Sequence, residues 1–135
     1  MITTGQELKN PPGRILVVDD DPNVVGVLKH ILQQQGFEVQ GAPDGLSAFV
    51  AFRSGRFDMI FTDFSMPRMT GLELAALVRK LDPEIPIILI TGHAHALDPE
   101  AVARAGLSRV LAKPFQLDEL LGCLSMRTAS QSTSR

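Results

Sequence analysis

The sequence contains a single cysteine, Cys123, in 135 residues. No disulfide can form within the chain, and a reducing compartment, the cytoplasm, is expected. Cys123 lies among Leu120, Leu121 and Leu124, surroundings that suit a buried structural thiol better than a reactive one. No apolar run is long enough to span a bilayer. The polar, proline-containing start from Met1 to Gly13 lacks the apolar stretch of a signal peptide. There is no block of basic residues and the net charge is −2, so direct binding to nucleic acid is not expected. No Walker A motif is present. What remains is an ordinary globular balance, 44% apolar and 21% charged, at a length that suits one domain with a substantial core.

The strongest local signals are short apolar runs. Ile15-Leu16-Val17-Val18 is rich in β-branched residues and reads as a buried strand that ends in Asp19-Asp20-Asp21-Pro22. Asp21 suits an N-cap and Pro22 the first helical position. Val25, Leu28, Ile31 and Leu32 then recur at helical spacing, and Gly36 closes the helix. Glu38 to Gly41 alternates polar and apolar residues, as an edge strand does. Asp44-Gly45 opens a second helix, with Leu46, Ala48, Phe49 and Phe52 expected inward, and Gly55 ends it.

Met59-Ile60-Phe61-Thr62 is another apolar run, and it leads directly into Asp63. Pro67 marks the loop that follows. A third helix is expected from Gly71 to Leu81, with Leu74, Leu77, Val78 and Leu81 inward. Ile87 to Ile90 ends at Thr91-Gly92. Asp98-Pro99 opens a short helix that closes at Gly106. Val110-Leu111-Ala112 ends at Lys113-Pro114, and Leu117 to Met126 forms the last helix, amphipathic through Leu117, Leu120, Leu121 and Leu124. The flanks are read as a flexible lead-in over 1–13 and a disordered, Ser-rich tail over 127–135. Five strands alternating with five helices imply a parallel sheet covered on both faces, an α/β domain over 14–126.

Four of the five strands end in a functional side chain: Asp19 and Asp20, Asp63, Thr91, and Lys113. Parallel strands deliver all these ends to one edge of the sheet, the edge at which open α/β sheets bind ligands. Three converging carboxylates repel one another unless a cation joins them, and carboxylate, carbonyl and water oxygens suit Mg²⁺, with Mn²⁺ as a substitute. Lys113 adds a compact positive charge and Thr91 a hydroxyl. A carboxylate nucleophile, a divalent ion, a lysine and a hydroxyl together fit phosphoryl transfer, with Asp63 as the group that becomes an acyl phosphate.

The stretches Ile15–Pro22, Phe57–Asp63, Met66-Pro67, Thr70–Leu74, Ile90–Gly92 and Ala112–Phe115, taken in order, resemble the receiver domain of two-component response regulators. The resemblance covers Arg14 to about Met126. It implies a flavodoxin-like doubly wound sheet of strand order 2-1-3-4-5. By position, Asp63 resembles the phosphoacceptor, served by a histidine kinase or a histidine phosphotransfer protein. Asp20 resembles the direct acidic Mg²⁺ ligand and Asp19 the ligand acting mostly through water, and the backbone carbonyl of Ser65 completes the set. Thr91 resembles the switch hydroxyl and Lys113 the phosphate-pairing lysine, whose bond to Pro114 is usually cis in the family. A domain of this kind promotes its own phosphorylation and slow dephosphorylation and is not a turnover enzyme. The resemblance is compatible with a stand-alone regulator or a receiver from a larger regulator or hybrid histidine kinase, and it leaves the oligomeric state and downstream target open.

One position departs from the pattern. The family often has an aromatic switch residue three positions before the lysine, and here that residue is Val110 in a chain without tyrosine. An alternative reading is an Asp-nucleophile phosphatase of the haloacid-dehalogenase type. Those enzymes carry a second acid two residues after the nucleophile, where this chain has Ser65. A flavin or nucleotide binder would have a Gly- or Ser/Thr-rich first βα turn, and here that turn is Asp19-Asp20-Asp21. His93 and His95 lack an evident third metal ligand. Met66 and Met69 fit loop packing beside Pro67.

Overall fold

The computed structural model describes residues 13–133. The elements are β1 (Arg14–Val18), α1 (Pro22–Gln34), β2 (Glu38–Ala42), α2 (Gly45–Ser54), β3 (Met59–Asp63), α3 (Gly71–Leu81), β4 (Ile87–Thr91), a 3₁₀ turn (Ala94–Ala96), α4 (Pro99–Ala105), β5 (Arg109–Ala112) and α5 (Leu117–Thr133). All strand pairs are parallel, in the order β2-β1-β3-β4-β5. The expected strand order therefore holds, with the polar strand β2 at an edge.

Alternation along each strand divides the core into two layers. Ile15, Val17, Met59, Phe61, Ile88, Ile90 and Leu111 pack with Leu28 and Leu32 of α1 and Leu120 and Cys123 of α5. Leu16, Val18, Ile60 and Ile87 face the other way, onto Ala48 of α2, Leu74, Ala75 and Val78 of α3, and Ala105 of α4. Every residue of β3 and β4 is buried, which is why those strands read as unbroken apolar runs.

The helix starts follow their caps. The carboxylates of Asp21, Asp44 and Asp98 accept from backbone N–H groups in the first turns of α1, α2 and α4. Thr70 and Glu73 form a reciprocal capping box at α3, a pairing that the Thr-Gly-Leu-Glu sequence encodes.

Three inward assignments are corrected. Leu46, Leu81 and Leu117 are more than half exposed. Each lies in a terminal turn of its helix, where fewer neighbouring turns cover a side chain. The last helix also runs on to Thr133, past the expected end near Met126. No glycine or proline follows Gly122 to stop it. Of the expected lead-in over 1–13, residues 1–12 lie outside the described residues, as do 134–135 of the expected tail over 127–135.

Candidate functional site

The strand order reverses between β1 and β3. β1 leads outward to β2, and β3 leads the other way to β4. The carboxyl ends of these two neighbours open the crevice in which such sheets bind ligands. Asp19 directly follows β1 and Asp63 is the last residue of β3, on the same phase of the pleat as Val17 and Phe61. One carboxylate oxygen from each of Asp19, Asp20 and Asp63 lies within 4.8 Å of the others. Asp20 is exposed, Asp19 is buried, and the Asp63 side chain is 11% exposed, enough for one face to be approached. An open groove of about 480 Å³, lined in part by Pro22, Val25 and Lys29, runs to Asp19 and Asp20.

Lys113 reaches into the cluster from the residue after β5. Its Nζ donates to Asp63 Oδ1 at 3.0 Å and to Asp19 Oδ2 at 3.3 Å. The Lys113–Pro114 peptide is cis, and the Lys113 N–H donates to the Thr91 carbonyl, which ties this residue to the end of β4. Asp19 is held from its other side, where Oδ1 accepts the Asp21 N–H at 2.9 Å.

The charges are unbalanced. Burial and the neighbouring Asp63 charge push the Asp19 carboxyl above its ordinary pKa, against the Asp21 N–H and the Lys113 ammonium, which favour the ionised form. Burial alone would lower the Lys113 pKa. The bond and charge of Asp63, with the charge of Asp19, outweigh it and hold the ammonium above its ordinary value. One ammonium thus faces three carboxylates. A close set of hard anionic oxygens, one of them exposed, fits a divalent cation such as Mg²⁺ with several waters retained.

Thr91 ends β4 at the same edge, next to Ala112 of β5, and is 2% exposed. Its Oγ1 accepts the His93 N–H at 3.0 Å, which leaves the hydroxyl proton free to be donated. Ser65 is exposed in the loop after β3. Met66 is buried and Met69 packs against Gly45, as loop packing requires. His93 and His95 are both exposed. The Cys123 thiol is fully buried, donates to the Glu119 carbonyl, and has its pKa raised by that burial.

One contributor to the site was not read from the sequence. Gly71 opens α3 directly against the end of β3. A Cβ at this position would lie 2.3 Å from the Asp63 carbonyl oxygen, and the Gly71 N–H donates to the Phe64 carbonyl. A glycine immediately after a cap residue, eight positions past a strand-end aspartate, is a signal that could have found it.

The parallel sheet of order 2-1-3-4-5, with an acidic cluster and a lysine at its switch point, defines the flavodoxin-like class of α/β domains with a carboxyl-edge site. Within that class, a family model described as the response regulator receiver domain matches residues 15–125, and the chain belongs to that family of two-component signalling domains. It is 37% identical over 123 residues to the response regulator MprA of Mycobacterium sp. strain KMS, covering 91% of this chain and 53% of that protein. The chain thus spans about half the length of such curated relatives. Among solved structures, it resembles the response regulator TrrA from Thermotoga maritima in complex with Mg²⁺-BeF, at TM-score 0.78 and 36% identity over 84% of this chain and 97% of that one. It also resembles the chemotaxis protein CheY4 of Vibrio cholerae, at TM-score 0.76 and 34% identity over 83% and 95%. Membership of this family sets aside the haloacid-dehalogenase alternative. No helix among the described residues is long and apolar enough to cross a membrane.

Proposed function

We propose that the chain is a cytoplasmic phosphoacceptor, with residues 14–126 as the working unit and Asp63 as the acceptor. The observation that carries this reading is the Lys113 bridge between Asp19 and Asp63 inside the acidic cluster at the switch point. The donor is a phosphohistidine of a histidine kinase or histidine phosphotransfer protein. An Asp63 oxygen attacks the phosphorus, an O–P bond forms, and the N–P bond to the imidazole breaks. The imidazole leaves with the bonding pair and takes up a proton, and Asp63 is left as an acyl phosphate.

Asp20, Asp63 and the Ser65 carbonyl would hold Mg²⁺ directly, with Asp19 acting through water, and Mn²⁺ would substitute. The ion when bound offsets the charge of the carboxylates and of the transferring phosphoryl group. Lys113, already placed against Asp63, pairs with a phosphoryl oxygen. Thr91 donates its free hydroxyl proton to another. Hydrolytic release of the phosphate is slow because position 65 offers a serine and not a second acid.

The signal leaves through the backbone after β4. Val110 is half-buried, pairs with Leu89 in the sheet, and has a short β-branched side chain with few rotamers. It cannot swing as an aromatic ring does. Thr91 is instead coupled directly to the Gly92–Asp98 segment by the His93 N–H.

Intact-mass spectrometry after treatment with acetyl phosphate and Mg²⁺ tests the assignment. One added phosphoryl group is expected on the parent and none on Asp63→Asn. Labelling that survives Asp63→Asn, on a serine or a histidine, would contradict it.

A further inference from the structure

Far from the acidic cluster, one guanidinium ties two helix ends together. Arg79, in the last turn of α3, donates from Nε to the Gly106 carbonyl at 2.9 Å and from Nη1 to the Asp82 carbonyl at 3.1 Å. Gly106 closes α4 in the left-handed conformation, φ 73. A Cβ there would lie 2.7 Å from Arg79 Nε, so glycine is needed both for the turn and for the guanidinium to lie against it. Two residues on, Ser108 is tied to the start of β4. Its N–H donates to the Ile87 carbonyl, and its Oγ accepts the Ile87 N–H.

The other end of α4 is held differently. Ala105 is the single buried residue of this seven-residue helix, at its C-terminal end. Pro99, Glu100, Ala103 and Arg104 are exposed. A groove of about 210 Å³ runs along the helix, between Leu72, Glu73 and Ala76 of α3 and Ala101, Arg104 and Ala105 of α4. The lead from β4 is lightly packed too. Among the described residues, nothing lies within 4 Å of a Cβ placed on Gly92, and the 3₁₀ turn has no buried residue. Few buried contacts at one end and a charged tie at the other make a segment that opens locally from its free end.

We propose that Arg79 is a positioning residue that fixes the C-terminal end of α4, so that Gly92–Arg104 swings about Gly106 when Thr91 is drawn toward Asp63. The proposal rests on the reading of Thr91 and Asp63 given above. The guanidinium converts a displacement of Thr91 into a tilt of α4. Without it, the same displacement would carry the whole helix and loosen the start of β5.

Amide exchange on the full chain, with and without Mg²⁺ and beryllofluoride, tests this. In the parent, exchange between Thr91 and Val102 should change on adding beryllofluoride, while the Gly106 and Ser108 amides hold their protection. In Arg79→Met the Gly106 and Ser108 amides should exchange roughly tenfold faster at rest, the loss expected for hydrogen bonds from a charged donor. The beryllofluoride response should then extend through Ser108. Arg79→Gln, which cannot span both carbonyls, gives the same reading if Arg79→Met does not fold. A response at Thr91–Asp98 that is alike in parent and variant, with Gly106 and Ser108 equally protected, overturns the pivot and leaves the site reading standing. A parent that responds nowhere overturns the site reading and the pivot with it.

Discussion

The two edges of the sheet treat charge in opposite ways. At the amino-terminal edge, charged side chains are matched. The Arg14 guanidinium lies 4.7 Å from the Phe57 ring centroid and bonds Gln40 and Glu38, and the Asp58 carboxylate accepts the Arg14 N–H. Asp82 accepts the N–H groups of Glu84 and Ile85. At the carboxyl edge, three carboxylates cluster around one ammonium that pairs with two of them, and the most buried, Asp19, has its pKa raised. One edge is satisfied and holds the fold together. The other carries an excess of negative charge that a bound cation would relieve, a feature of functional rather than structural sites.

The largest effect is expected where the carboxyl edge is set by backbone contact. Gly71→Ala puts a methyl group into the Asp63 carbonyl, and the neighbouring Leu89 Cδ1 at 2.7 Å leaves it no room. A loss of about 2–3 kcal/mol in urea unfolding is expected, together with slower acetyl-phosphate labelling because Asp63 is displaced. Unchanged stability and labelling would show that α3 does not position the acceptor.

Arg14→Ala sharpens the contrast from the satisfied edge. Loss of the ring contact and the side-chain bonds should cost about 1–2 kcal/mol, while the labelling rate and the thermal shift given by Mg²⁺ stay at parent values. A lost Mg²⁺ response would mean that the two edges are not separable.

A smaller effect follows from Asp19. Its folded pKa is raised, so the folded chain binds more protons than the unfolded chain between the two pKa values, and this contribution falls as pH rises through that window. Asp19→Asn removes it. In the absence of Mg²⁺, the stability gained by Asp19→Asn over the parent should be greatest at neutral pH and shrink on acidification. A gain that grows toward acid would contradict the raised pKa. Lys113 acts at the other end of the pH scale. Its folded pKa is raised, so its contribution is present throughout the neutral range and is lost only as pH rises through the folded value, above the ordinary 10.5.

How much of this was legible in the sequence depends on the range of the interaction. The strands and the placement of Asp19, Asp20, Asp63, Thr91 and Lys113 at one edge follow from apolar runs that stop at a polar residue, a local signal amplified by parallel topology. Asp21-Pro22 and Asp98-Pro99 announce their helices equally locally. Leu46, Leu81 and Leu117 are expected inward but are exposed, because helical periodicity says which face a residue is on, not whether a terminal turn is covered. The Arg79 tie to Gly106 joins residues 27 apart through a left-handed turn, and no spacing rule links them. The His93 N–H bond to Thr91 is local, but it depends on loop backbone geometry that composition does not specify.

Thermal unfolding of Asp20→Asn beside the parent, with and without Mg²⁺, tests the central claim that the carboxyl edge is destabilised by charge held for a cation. Removing the exposed carboxylate from the cluster should stabilise the metal-free chain by about 1 kcal/mol, the order of a unit-charge repulsion at this separation screened as in water. That is a rise of a few degrees in Tm, and the further rise that Mg²⁺ gives the parent should be abolished. An Asp20→Asn chain that melts lower than the parent and still responds to Mg²⁺ as the parent does would contradict the account.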